Sequence, residues 1–409
     1  LAPAVTFTYR GRNSSGKTVK GTVDAPSETA VAARLRMMGI APTEIREGSG
    51  TGLNRDISLG GMFEKKVGLK DLAVMSRQMA TMVGAGLSLL RTLSILAAQS
   101  ENPKLADVLT RVQADVEAGS SLSEAMARHD REFPPLMINM VRAGETGGFL
   151  ETSLESIAEN YEKEVELRAT IKSALSYPVV VLVMAILAVI AMLLFIVPIF
   201  KNMFAGLGGT LPVPTLVLVW LSEQLIWAGP LFVIVAVIFA VWWARNKNTD
   251  RVRRVVDPFK LRLPVFGLLF KKIAIARFTR NFSTMMASGV PILTALSVVG
   301  GTSGNWVIEQ MAAKVQEAVR QGRPLAGPLA EEPVIPPMVA QMVAVGEDSG
   351  SLETMLRKVS DFYDAEVKAT TEQLTSLIEP LMIAFIGVIV GGMIVSLYLP
   401  MFSMFELVK

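Results

Sequence analysis

The sequence predicts a mainly α integral membrane protein: two homologous cytoplasmic helical-bundle domains, three transmembrane helices and a small N-terminal β-β-α-β domain. Three observations lead there. Pro178 to Phe200, Leu225 to Ala244 and Pro380 to Phe405 carry no charged residue over membrane-spanning length. The chain repeats itself at an offset of 202 to 203 residues. Its first 25 residues alternate apolar and polar side chains as half-exposed strands do.

In chain order, residues 1–47 form the small α+β domain. VTFTYR alternates Val5, Phe7 and Tyr9 with polar residues, and VKGTVD alternates Val19, Gly21 and Val23 in the same way. Between them stands GRNSSGKT at 11–18, which is spelled like the phosphate-cradling loop of nucleotide hydrolases. That loop needs a buried strand before it and a helix after it. Here both flanks read as half-exposed strands, and Pro26 would interrupt the helix, so the letters read as a hairpin connection. A short helix follows, opened by Ser27 and closed by Gly39, with Val31, Leu35 and Met38 on one face; Ile40 to Ile45 reads as a third strand. The polar first 60 residues do not read as a secretory signal peptide.

Residues 48–69 read as a linker, and 70–172 and 270–376 as the two cytoplasmic bundles. RQMATMVGAGLSLLRTLSILA at 77–97 matches RNFSTMMASGVPILTALSVVG at 280–300. Residues 133–165 match 335–367 with 14 of 33 positions identical, too many at one offset for chance. Leu150, Leu154, Ile157, Tyr161 and Val165 fall on one helix face, repeated by Leu352, Leu356, Val359, Tyr363 and Val367. Pro134-Pro135 and Pro336-Pro337 suit helix starts, and Gly144 and Gly346 suit helix ends.

Spans are expected at 177–200, 225–244 and 377–402, each long enough to cross a bilayer core of about 30 Å. Between them lie an outer loop at 201–224 and a basic connector at 245–269, with a tail at 403–409. Tyr177-Pro178 recurs as Glu379-Pro380, and Pro198 recurs as Pro400, so prolines bound spans one and three. The second span is the return helix that lets two parallel copies coexist. Gly387, Gly391 and Gly392 offer a small-residue pattern for close helix packing.

Lys163, Arg168 and Lys172 precede the first span, Lys201 stands alone in the outer loop, and seven Lys or Arg from Arg245 to Arg262 follow the second. The excess of Lys and Arg marks the cytoplasmic side. This places the N-terminus in the cytoplasm and the C-terminus outside.

A net charge of +3, with Lys and Arg interleaved among acids, argues against nucleic acid as a partner. Without cysteine there is no disulfide framework or thiolate site, and a single histidine, His129, precludes a histidine metal cluster or catalytic triad. No cofactor or metal is expected. The repeated acids Glu145 and Glu151, with Glu347 and Glu353, read either as helix-corner carboxylates near a helix N-terminus or as a docking surface. Glu379 reads as an interfacial carboxylate or as a contact to a membrane partner.

The chain resembles the PilC/GspF family, the inner-membrane platform proteins of type IV pilus and type II secretion machines. The resemblance rests on FTYRGRNSSGKTVKGTVDAPSETAVAARLRMMGIAP, the two Gly-Glu-x-x-Gly-x-Leu-Glu-Thr corners and Ala-Leu-Ser-Tyr-Pro before the first span. Phe-x-Tyr and Gly-Lys-x-Val-Lys-Gly look closer to the pilus branch. The resemblance implies a non-enzymatic protein of the bacterial inner membrane. Its partners would be a hexameric assembly or retraction ATPase, pilin or pseudopilin, other inner-membrane machine components and lipid, and a homodimer is expected. The corners, Gly144, Glu145, Gly148, Leu150 and Glu151 with Gly346, Glu347, Gly350, Leu352 and Glu353, are the candidate ATPase-docking motif. Tyr177, Pro178, Pro198, Glu379, Pro380 and Pro400 are the candidate membrane-boundary or pilin-facing residues. The nearest alternative is the secretion-type platform driving a pseudopilus. From other classes come a membrane NTPase using Lys17 and Thr18, and a transporter, which three spans without a central ionisable residue disfavour.

Overall fold

The computed structural model describes residues 5–13, 18–25, 27–37, 39–47, 66–206, 211–247 and 249–407. It divides into residues 1–64 and 65–409. In the first unit, strands β1 (Val5–Asn13), β2 (Thr18–Ala25) and β3 (Ile40–Glu47) form an antiparallel sheet of order β2-β1-β3, with helix α1 (Glu28–Met37) between β2 and β3. Phe7, Tyr9 and Ala25 bury against Val31 and Leu35 of α1. The expected β-β-α-β order holds. Residues 14–17 of GRNSSGKT, and Met38, lie outside the described residues. Thr18 starts a strand paired antiparallel with β1, where a phosphate loop would start a helix. Gly11 has its own structural reason. A Cβ there would sit 2.7 Å from the Ala41 carbonyl oxygen, because β3 crosses it at a register shift between Arg10 and Gly11.

The second unit is helical throughout its described residues. The first repeat contains α2 (Leu69–Gly84), α3 (Leu89–Gln99), α4 (Pro103–Glu117), α5 (Leu122–Ala127), α6 (Pro135–Gly147) and α7 (Leu150–Ala191). A π-helical turn (Met192–Ile196) and α8 (Val197–Gly206) continue α7, and α9 (Val213–Asn246) returns. Helix α10 (Asp250–Arg262) leads into the second repeat: α11 (Phe266–Ala287), α12 (Ile292–Thr302), α13 (Trp306–Arg320), α14 (Ala326–Ala330), α15 (Pro337–Asp348) and α16 (Leu352–Leu407). The duplication extends to the caps. Asn102 accepts from the amides of Lys104 and Leu105 at 3.0 and 3.4 Å, and Asn305 accepts from Val307 at 2.9 Å. Leu154, Ile157, Leu356, Val359 and Val367 are buried, as their spacing predicts.

Several boundaries differ from the sequence expectation. Tyr177, Pro178, Pro198, Glu379, Pro380 and Pro400 all lie inside helices, so no helix ends at these prolines. The helices that pack the bundles continue into the spans, with α16 running 56 residues. Helices α8 and α9 take both ends of the expected outer loop, 201–224. Most of the connector at 245–269 is helix α10 and the start of α11. Residues 48–65 of the expected linker, and 408–409 of the tail, lie outside the described residues, while 403–407 are helical. Gly387, Gly391 and Gly392 face open space, with no atom within 4 Å of where a Cβ would stand, so they do not mark a close crossing within this chain.

Candidate functional site

The two corners have the same construction. Gly148 and Gly350 take left-handed conformations, with φ of 75° and 66°. The amides of Phe149 and Ser351 then donate back to the carbonyls of Gly144 and Gly346 at 2.9 and 2.8 Å. This six-to-one bond is the Schellman ending of a helix. Gly148 and Gly350 are therefore the true helix ends, correcting the assignment to Gly144 and Gly346. Those two glycines lie inside α6 and α15 because the following helix folds back on them. A Cβ on Gly144 would lie 2.6 Å from Ser153 Oγ, and one on Gly346 would lie 2.8 Å from the Cα of Leu352. Leu150 and Leu352 open α7 and α16 and pack on the core.

The corner acids divide into two roles. Glu145 reaches back 22 to 23 residues and accepts from the amides of Leu122 and Ser123 at 2.5 and 3.0 Å. Glu347 does the same with Leu325 and Ala326, at 2.7 and 3.1 Å. Each thus satisfies the exposed amides at the start of a short helix in its own bundle. Glu151 and Glu353 sit in the first turns of α7 and α16, where the helix dipole favours a negative charge. Glu151 is exposed; Glu353 is half-buried and lies 3.7 Å from Arg357. Replacing Glu145 or Glu347 with Ala is expected to cost about 0.5–2 kcal/mol, the usual worth of a lost cap, read as lower thermal stability in detergent. Glu151→Ala, which loses only an exposed charge at the helix start, should cost less, about 0.3–1 kcal/mol.

The repeats are joined by polar contacts that spacing alone did not reveal. Arg77 of α2 bonds Glu162 at 2.6–2.7 Å and also Glu155, which holds the Glu162 carboxyl below the usual range. Its counterpart Arg280 pairs with Asp364, the equivalent of Glu162, and lies 3.6 Å from Glu164 of the other repeat. Arg277 also grips Glu164 with two bonds at 2.6 and 3.0 Å. Arg77 is about one-third exposed, whereas the Arg280 side chain is 5% exposed. Burial pushes the Asp364 carboxyl up, against the pull of Arg280. Asn160 donates to Asn281 at 3.0 Å and to Thr284 at 3.2 Å, and Lys163 pairs with Asp361 at 2.7 Å.

Within the spans, Tyr177 is exposed and Pro178 buried in mid-helix, and both Glu379 and Pro380 are exposed. Pro198 and Pro400 each disturb the helix that carries them. A proline has no amide hydrogen and leaves a carbonyl one turn earlier without its helical donor. Before Pro198 the helix widens into the π-turn, where Val197 donates to Met192 and Leu193 is the carbonyl left over. Ser222 Oγ donates to Leu193 at 2.6 Å. Before Pro400 the freed carbonyl is Ser396, and Thr215 Oγ1 donates to it. Both donors come from α9, seven residues apart on one buried face with Leu218 and Val219. The middle helix therefore repairs the backbone of both repeat spans. Two hydroxyls at heptad spacing in an apolar helix were the signal available in the sequence.

Together these features define a tandem-repeat integral membrane protein, each helical bundle continuous with a membrane span. The family model described as type II secretion system (T2SS), protein F, matches residues 75–198 and again 278–400. The N-terminal domain model of the same protein matches 4–46. The chain belongs to this family. It is 45% identical over 400 residues to the type IV pilus assembly protein PilC of Thermus thermophilus, covering 97% of each chain. It is 41% identical over 403 residues to that of Myxococcus xanthus, covering 97% of this chain and 94% of the other. To the type II secretion system protein F of Vibrio cholerae it is 31% identical over 405 residues, covering 98% and 99%. The higher identities place it in the pilus branch. Three helices long and apolar enough to cross a membrane, within this family, make it an inner-membrane protein.

Proposed function

We propose that this chain is the inner-membrane platform of a type IV pilus assembly machine, and that it passes motion from a cytoplasmic hexameric ATPase to pilin in the bilayer. The observation that carries the reading is helical continuity. Helix α16, and α7 with its π-turn and α8, each begin at a bundle corner and end beyond the span. Movement of a bundle has no loop in which to dissipate. The chain itself performs no catalysis in this reading, its N-terminus is cytoplasmic and its C-terminus outside, and it works as a homodimer.

Glu145 and Glu347 are occupied as caps, so Glu151 is the corner acid best placed to meet the ATPase. Inserting three glycines after Ile171 and after Glu372 tests the continuity. The variant should reach the membrane at normal level and still co-purify with the ATPase, yet make no pili; normal piliation would overturn the proposal. Lys17→Ala is expected to leave piliation intact, whereas loss of pili at normal protein level would revive the nucleotide reading.

A further inference from the structure

Helix α10 presents two faces with different occupants. Its inner face is locked to the second bundle. Asp257 is buried, and its Oδ2 accepts from the amide of Trp306 at 3.0 Å, at the start of α13. Arg253 pairs with Glu309 at 2.7 Å, Lys260 with Asp257 at 2.9 Å, and Arg254 stacks 5.8 Å from the Trp306 ring centre. These contacts fix the roll of the helix.

The opposite face is open. Arg251, Val255, Phe259 and Arg262 recur at helical spacing along it, and Val255 and Phe259 are 72% and 63% exposed. Neither Arg251 nor Arg262 has a carboxylate partner among the described residues, nor do Arg245 and Lys247 just before the helix. Two large apolar side chains flanked by cations form the pattern of a helix lying in a membrane surface. The position in the chain agrees. Residues 247–249 alone separate α10 from the spanning helix α9, whose end carries Phe239, Trp242 and Trp243 in mutual contact at 6.0–6.5 Å. Such aromatic clusters sit at headgroup level.

We infer that α10 is an interfacial helix that docks its Arg251–Val255–Phe259–Arg262 face on anionic lipid. The apolar pair enters the headgroup and acyl boundary, and the arginines meet the phosphates. This contact seats the second bundle on the bilayer through the Asp257 and Arg253 contacts to α13. The inference does not depend on the platform reading, since it concerns only how the chain meets lipid.

The chain has no cysteine, so spin labels can be placed singly on the full-length protein at Val255→Cys, Phe259→Cys and, as a reference, exposed Ser297→Cys. In nanodiscs containing phosphatidylglycerol, labels at 255 and 259 should be open to oxygen and closed to a water-soluble nickel chelate, unlike 297. Arg251→Gln with Arg262→Gln should weaken the preference for phosphatidylglycerol over phosphatidylcholine by roughly fivefold per arginine. Labels at 255 and 259 as open to nickel as 297 would overturn the inference. So would protection that arises only on adding the ATPase or a second copy, which would make the face a protein interface.

Discussion

Replacing Arg280 with Met should be among the most damaging single changes in the helical bundles, costing about 3–5 kcal/mol, as expected when one partner of a buried ion pair is removed. The guanidinium is almost wholly buried and faces two carboxylates, Asp364 in its own repeat and Glu164 in the other. Methionine fills similar volume but leaves Asp364 without its hydrogen-bonded cation, while Glu164 keeps Arg277. The equivalent change in the first repeat, Arg77→Met, should cost no more than about 1 kcal/mol, because that pair is solvent-exposed. Thermal unfolding of the two variants in one detergent makes the comparison; equal losses would refute it. The pH dependence has a definite sign. Glu162 is depressed by Arg77, so the stability this pair adds is present above the ordinary carboxylate range and lost as pH falls. Asp364 is raised by burial, so its contribution runs the other way, greatest at low pH and lost as pH rises through its folded value. Without Arg280 the orphaned acid can accept a proton. The gap between wild type and Arg280→Met should therefore be widest near neutrality and narrow in acid.

Thr215→Val combined with Ser222→Ala should be the most damaging conservative change in helix α9. Each substitution keeps or slightly reduces side-chain volume and removes the one hydroxyl that satisfies a proline-freed carbonyl. Both hydroxyls are buried within the protein, and an unsatisfied buried acceptor costs about 1–3 kcal/mol. The exchange Thr215→Ser with Ser222→Thr, which keeps both hydroxyls, should retain near-normal stability in detergent. If Val and Ala were tolerated as well as the exchange, the hydroxyls would have no role in holding the spans.

What could be read from the sequence follows the range of each interaction. The sheet strands announced themselves through alternation at Phe7 and Tyr9, and the spans through absence of charge, because both signals are local. Helix ends are less legible, because proline commonly ends a helix, whereas here Pro178 and Pro400 are carried inside long helices. Gly144 suits a helix end by sequence, whereas the structure ends the helix at Gly148; only the fold-back onto Ser153 separates a packing glycine from a left-handed one. The capping by Glu145 spans 22 residues and the Arg280–Glu164 contact joins two bundles. No pattern within a helix encodes either, although the duplication of Glu145 as Glu347, and of Arg77 as Arg280, marked the residues.

The unbroken course of α16 also sets a scale of displacement. From Leu352 to Pro400 the axis runs about 72 Å. A swing of about 5° at the corner carries Pro400 sideways by about 6 Å, more than one helical turn. Thr215 is bonded to the carbonyl four residues before Pro400, so α9 would have to follow or the bond would break. In the platform reading, a small angular step of the second bundle thus becomes a displacement of several ångströms at the far end of α16, where the bond to the middle helix resists it.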